Sequence, residues 1–166
     1  MPSETPEELG VMQLDEVTLL PVRSPQGPWG QHFFGAFDRQ GHFIDGFAHP
    51  WCSIDEAPQP PKARYQGTAI YGGLAMHHIG HFLLEGLSRL WCLKRYPELP
   101  ILWHWIDLAV PHPDERGWQR ELIMMLGLGK HRHIFLRDPL LVEHLLLPSA
   151  GFRSNRFLHP LQVAAL

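Results

Sequence analysis

The pattern of apolar and polar positions changes character partway along the chain. Residues 14–22 are rich in Val, Leu and Thr and bounded by Pro21 and Pro25, which predicts a strand. Residues 33–37 and 42–47 are short apolar runs flanking Asp38-Arg39-Gln40-Gly41, a spacing that predicts a hairpin with a four-residue loop. The Pro-rich stretch 57–62 reads as a stiff connector. Beyond it the pattern predicts strands over 67–71, 99–105, 133–136 and 141–147, and helices over 77–95, 114–126 and 155–166. Residues 99–105 are nearly all apolar, as expected for a strand buried on both faces. Gly127 is placed to stop the second helix.

The expected organisation is a frayed acidic start (1–10), a β-rich preamble with its connector (11–62) and a Rossmann-like domain (63–166). Strand–helix alternation at this pitch implies an α/β fold, a parallel sheet with helices on both faces, preceded by a small antiparallel β-hairpin.

The helix from His77 carries the chemistry. Plotted at about 100° per residue, His77, His81, Glu85, Ser88, Arg89 and Cys92 share one side, with His78 at its edge. Ile79, Leu83, Leu84, Leu87, Leu90 and Trp91 share the other, an apolar stripe suited to docking on a sheet. Docking does not require two imidazoles and a carboxylate one turn apart near the helix start. Gly72 and Gly73 stand where strand hands over to helix, the usual ligand position in an open parallel sheet, and their missing side chains would let a ligand near the backbone.

Three readings fit these residues. His77, His81 and Glu85 have the spacing of a metal site, as in a metal-dependent hydrolase. His81 backed by Glu85 can instead take a proton from a hydroxyl. Or the two form a structural i,i+4 pair. Arg89 has the choice of an ion pair with Glu85 or the diphosphate of a ligand, which a guanidinium fork suits. The run Leu126-Gly127-Leu128-Gly129-Lys130 is not a phosphate loop, because it follows a helix instead of opening one. Trp103, Trp105 and Trp118 are expected in the core.

Composition narrows the classes. With 45% apolar and 19% charged residues the chain is that of a folded globular protein, and a net charge of -3 leaves no basic footprint for nucleic acid. No apolar run reaches the roughly 18 residues of a transmembrane helix. Two cysteines are too few for a disulfide framework, so a reduced, cytoplasmic setting is expected.

The stretch 71–91 also carries a resemblance. Gly72-Gly73, His78-x-x-His81-Phe82-Leu83-x-Glu85 and Ser88-Arg89-Leu90-Trp91 resemble the signature of glycosyltransferase family 61. The similarity continues through Gln119, Leu122 and Leu126-Gly127-Leu128, then Val142, Leu145 and Pro148-Ser149. Many family members have Asn at the position of His78 and Pro at that of Ser88. The resemblance implies the N-terminal half of a GT-B-like fold and transfer of a sugar from a nucleotide-sugar donor to a glycan or protein hydroxyl, in polysaccharide biosynthesis. It implies catalytic roles for His81 and Glu85, and substrate contacts from Gly72, Gly73, His78 and Arg89. It assigns no metal ligand, leaves the use of a divalent metal open, and implies a donor-binding domain beyond Leu166, so the chain reads as a fragment. A non-catalytic glycan- or partner-binding module is the alternative outside the enzymes.

Overall fold

The computed structural model describes residues 9–24, 31–48, 52–54, 58–76, 78–106, 118–153 and 157–158. Seven strands form one mixed sheet: β1 (Val11–Arg23), β2 (His32–Phe37), β3 (Cys52–Ile54), β4 (Ala63–Met76), β5 (Ile101–Ile106), β6 (His133–Phe135) and β7 (Leu140–Pro148). Their order is β3-β2-β1-β7-β4-β5-β6. β7, β4, β5 and β6 are mutually parallel, whereas β1 runs antiparallel to both its neighbours, β2 and β7. Strands from the preamble and from the later chain thus share one sheet. A two-residue ladder joins β8 (Phe152–Arg153) to β9 (Phe157–Leu158).

The side-chain period of a strand is two, and β5 uses both faces. Ile101, Trp103 and Trp105 enter one core with Ile70, Phe82, Leu87, Leu90 and Ile123. Leu102 enters the other with Val17, Phe34, Phe47, Tyr71, Val142 and Leu147. The first core lies beneath the helical segments. The second is closed by the sheet itself: His104 on β5 reaches the Leu20 carbonyl on β1 at 2.8 Å, and Phe34 on β2 stands edge-on to the His104 ring at 5.1 Å. Two strands, β7 and β4, lie between β1 and β5 in the sheet. The sheet therefore curls over its own apolar face.

This overturns the expected Rossmann-like α/β fold and, with it, the N-terminal half of a GT-B-like fold. The described residues form a mostly-strand mixed sheet with two α-helices among them, not a parallel sheet with helices on both faces. The physical reasons lie in particular segments. The helix expected over 77–95 is broken into α1 (Ile79–His81), a π-helical turn (Phe82–Gly86) and a 3-10 turn (Leu90–Lys94). Leu87 N–H donates five residues back to Phe82 O at 2.9 Å. Gly80 and Gly86 lower helix propensity there, and Gly86 is needed for contact: a Cβ on it would lie 3.0 Å from the Leu74 carbonyl oxygen of β4. The helix expected over 155–166 is a strand at Phe157–Leu158, and 159–166 lie outside the described residues. The second helix is α2 (Trp118–Met125), stopped by left-handed Gly127 at φ 70° as expected, while 114–117 are not described.

The expected hairpin shrinks to one bridge, Phe37 with Phe43, followed by a 3-10 turn at Asp45–Phe47. Asp38 closes the turn, its Oδ1 accepting the N–H groups of Gln40 (2.8 Å) and His42 (2.9 Å), and backbone pairing ends after the Ile44 N–H to Ala36 O bond (2.9 Å), where the 3-10 turn begins. β2 finds its partners in β1 and β3 instead.

Candidate functional site

β4 leads into the site through a bulge. One extra residue enters β4 between Tyr71 and Gly73, opposite consecutive β5 residues Leu102 and Trp103. Gly73 sits there at φ +118°, a left-handed region that favours glycine. The bulge lets Tyr71 face one core and, two positions beyond Gly72, lets Leu74 face it again. The two glycines serve packing at this handover. A Cβ on Gly72 would lie 2.6 Å from Ile101 Cγ2 and 2.9 Å from the Trp103 ring, and one on Gly73 would lie 3.3 Å from Gly86 O. The space left by the missing side chains is filled by β5 and by the helical segment. Gly72→Ala is accordingly expected to destabilise the fold by about 1–3 kcal/mol through overpacking, read as a lower urea midpoint at unchanged m-value.

Past Met76, α1 and the π-helical turn bring His78, His81 and Glu85 together. His81 Nδ1 lies 3.1 Å from Glu85 Oε2, with the Glu85 side chain 7% exposed and that of His81 37% exposed. The carboxylate is thus held inside and the imidazole meets solvent. The His78 ring stands against that of His81, centroids 5.0 Å apart and planes at 61°. His77 lies outside the described residues, and among those described no group of three or more His, Cys, Asp or Glu is placed to hold a metal ion.

Arg89, a turn further on, is a clamp. Its guanidinium donates to the Pro148 carbonyl at the end of β7 and, at 3.0 Å, to the Gly46 carbonyl, and it lies 5.4 Å from the Tyr71 ring centroid. Ser88 Oγ donates to Glu85 O at 2.7 Å, and the Ser88 carbonyl accepts the Gly151 N–H at 2.7 Å. These bonds tie the segment carrying Glu85 to the end of β7. Arg89 also lines a cleft of about 310 Å³ with Gly10, Met12, Gly46, Ser149 and Ala150.

Beneath this clamp lies a polar chain that periodicity alone does not point to. The Tyr71 hydroxyl donates to His104 Nδ1 at 2.7 Å, and His104 Nε2–H donates to Leu20 O at 2.8 Å. Burial pushes the Tyr71 hydroxyl pKa up and lowers that of His104 to about 4. The imidazole is therefore neutral, with its tautomer fixed by its two partners. The sequence signal for it is a lone His between Trp103 and Trp105 in an otherwise apolar strand. Trp103 and Trp105 are buried and Trp118 is half-buried, as expected of core residues. Burial likewise pushes the Cys52 and Cys92 thiols up, to about 12 and about 11, which makes both poor nucleophiles.

No family model matches the chain, and no curated protein or solved structure matches it. Among the described residues, no helix is long and apolar enough to cross a membrane.

Proposed function

We propose that this chain provides the acid/base centre of a glycosyl transfer, with His81 as the base and Glu85 as its orienting partner. The observation that carries the proposal is the 3.1 Å contact between His81 Nδ1 and Glu85 Oε2, made by a buried carboxylate to an imidazole open to solvent. A carboxylate accepting from Nδ1–H selects the tautomer whose Nε2 lone pair takes the proton, and it stabilises the imidazolium that results.

In the transfer, an acceptor hydroxyl gives its proton to Nε2 as its oxygen forms a bond to the anomeric carbon. The bond from that carbon to the nucleotide breaks, and the leaving diphosphate keeps the electron pair. The acceptor is a glycan or protein hydroxyl and the donor a nucleotide-sugar, both in keeping with the resemblance of 71–91 to family 61. His78 stands beside the base. Arg89, clamped at the end of β7, fixes the segment that carries Glu85. Free Cys52 and Cys92 fit a reducing, cytoplasmic setting.

The test is a transfer assay with a panel of nucleotide-sugars and glycan acceptors, run on the chain in its full natural context. Glu85→Gln keeps the shape of the side chain and removes its charge. It is expected to lower kcat by roughly two orders of magnitude or more. Turnover within a few-fold of wild type in that variant would remove Glu85 from the mechanism.

A further inference from the structure

We infer that His78 and His81 form a binding site for a borderline transition-metal ion such as Zn²⁺, with Glu85 as the outer partner of His81. The two imidazoles stand three residues apart, His78 extended at the N-cap of α1 and His81 at its end, with their rings in edge contact. Gly80 lies between them and the His78 ring folds back toward it, to where a Cβ would meet His78 Cε1 at 3.4 Å, an ordinary contact.

The spacing of the rings suits the ion. A zinc–imidazole bond of about 2.0–2.1 Å puts the metal roughly 3.2 Å from the ring centre. Two such arms drawn from centroids 5.0 Å apart meet at an angle of about 105°, close to tetrahedral. His78 is exposed, so its ring turns about χ2 at little cost to aim a nitrogen at that point.

The outer arrangement points the same way. Histidines that ligate metals characteristically give their other ring N–H to a carboxylate, which fixes the tautomer and raises the basicity of the ligating nitrogen. Glu85 Oε2 stands 3.1 Å from His81 Nδ1, and its side chain is 7% exposed. Imidazole ligands suit zinc, copper and nickel, whereas magnesium and calcium take oxygen ligands. With two protein ligands, water completes the coordination and the ion exchanges readily. Binding at His81 would also block it as a base, making zinc an inhibitor of the transfer proposed above. The site itself does not depend on that reading, because it is tested without turnover.

The experiment is calorimetric titration of Zn²⁺ into chelator-stripped protein, with Mg²⁺ as the control ion. The expected result is one site of micromolar affinity for Zn²⁺ and none for Mg²⁺. Affinity should fall at least tenfold in His78→Ala and in His81→Ala, and about tenfold in Glu85→Gln. His144→Ala, which alters an exposed imidazole paired with Asp15 elsewhere on the sheet, should titrate like wild type. His78→Ala changes an exposed side chain and keeps the test valid if His81→Ala fails to fold. Absence of zinc binding in wild type, or an isotherm unchanged by His78→Ala, would overturn the inference.

Discussion

His81→Ala is expected to lower kcat for glycosyl transfer by about 10²- to 10⁴-fold, the usual contribution of a positioned general base. The KM for the nucleotide-sugar should stay near wild type, because the imidazole acts on the acceptor's proton and not on the donor. The substitution removes a side chain that is 37% exposed and belongs to neither core cluster. It also takes the imidazole contact away from the largely buried Glu85 carboxylate, so a stability cost of about 1–3 kcal/mol is expected beside the kinetic loss. A structural i,i+4 pair predicts that thermal loss alone, with turnover persisting below the melting transition. Steady-state kinetics and thermal denaturation of the same preparation decide between them.

What could be read from the sequence was local, and what could not was long-range. The His81–Glu85 contact spans four residues and follows from helical spacing, so the two side chains are brought together even though the helix is irregular. The buried strand at 101–105 announces itself because few residue types fill a strand covered on both faces. The uniform 3.6-residue period assumed for 77–95 fails because one π turn shifts every later residue on the wheel. Arg89 accordingly meets carbonyls 43 and 59 residues away in sequence. The place of β1 between β2 and β7 depends on a register running from Val11–Pro148 to Leu19–Leu140, which no nearby turn specifies. That pairing, together with the curl, replaces the second helical layer expected of a Rossmann-like sheet. The two glycines of the bulge show the same limit. A Gly-Gly pair at a strand end reads equally as an opening for a ligand or as room for a neighbouring chain, and here Trp103, Ile101 and the Gly86 carbonyl fill the room.

The curl should come undone on acidification, because His104 at its centre is fully buried and burial disfavours its charged form. His104 has a pKa of about 4 in the fold, against an ordinary value of 6.5, with burial the main cause of the lowering and its bond to Leu20 acting the other way. A base whose pKa is depressed by folding binds more protons when unfolded. Its contribution to stability is thus complete above about 6.5 and is lost as pH falls toward about 4. At about 1.4 kcal/mol per pH unit, the interval corresponds to roughly 3 kcal/mol. The described groups that face the ring carry no anion to balance an imidazolium. Tyr71 already donates its hydroxyl to Nδ1, the Leu20 carbonyl is taken by Nε2–H, Phe34 packs edge-on, and the Arg89 cation lies over the Tyr71 ring. Urea unfolding between pH 7.5 and 4 should therefore show a steeper loss for wild type than for His104→Leu. That variant leaves the Tyr71 hydroxyl without its acceptor and costs about 1–3 kcal/mol, yet this cost is the same at every pH. Glu143 and Asp38, whose carboxyls are held low by the backbone N–H groups of Gly67 and His42, lose their contributions as pH falls below the ordinary carboxylate range. They do so equally in both proteins and cancel in the difference. Parallel slopes for the two proteins would show that burial of His104 does not set the acid limit of the fold.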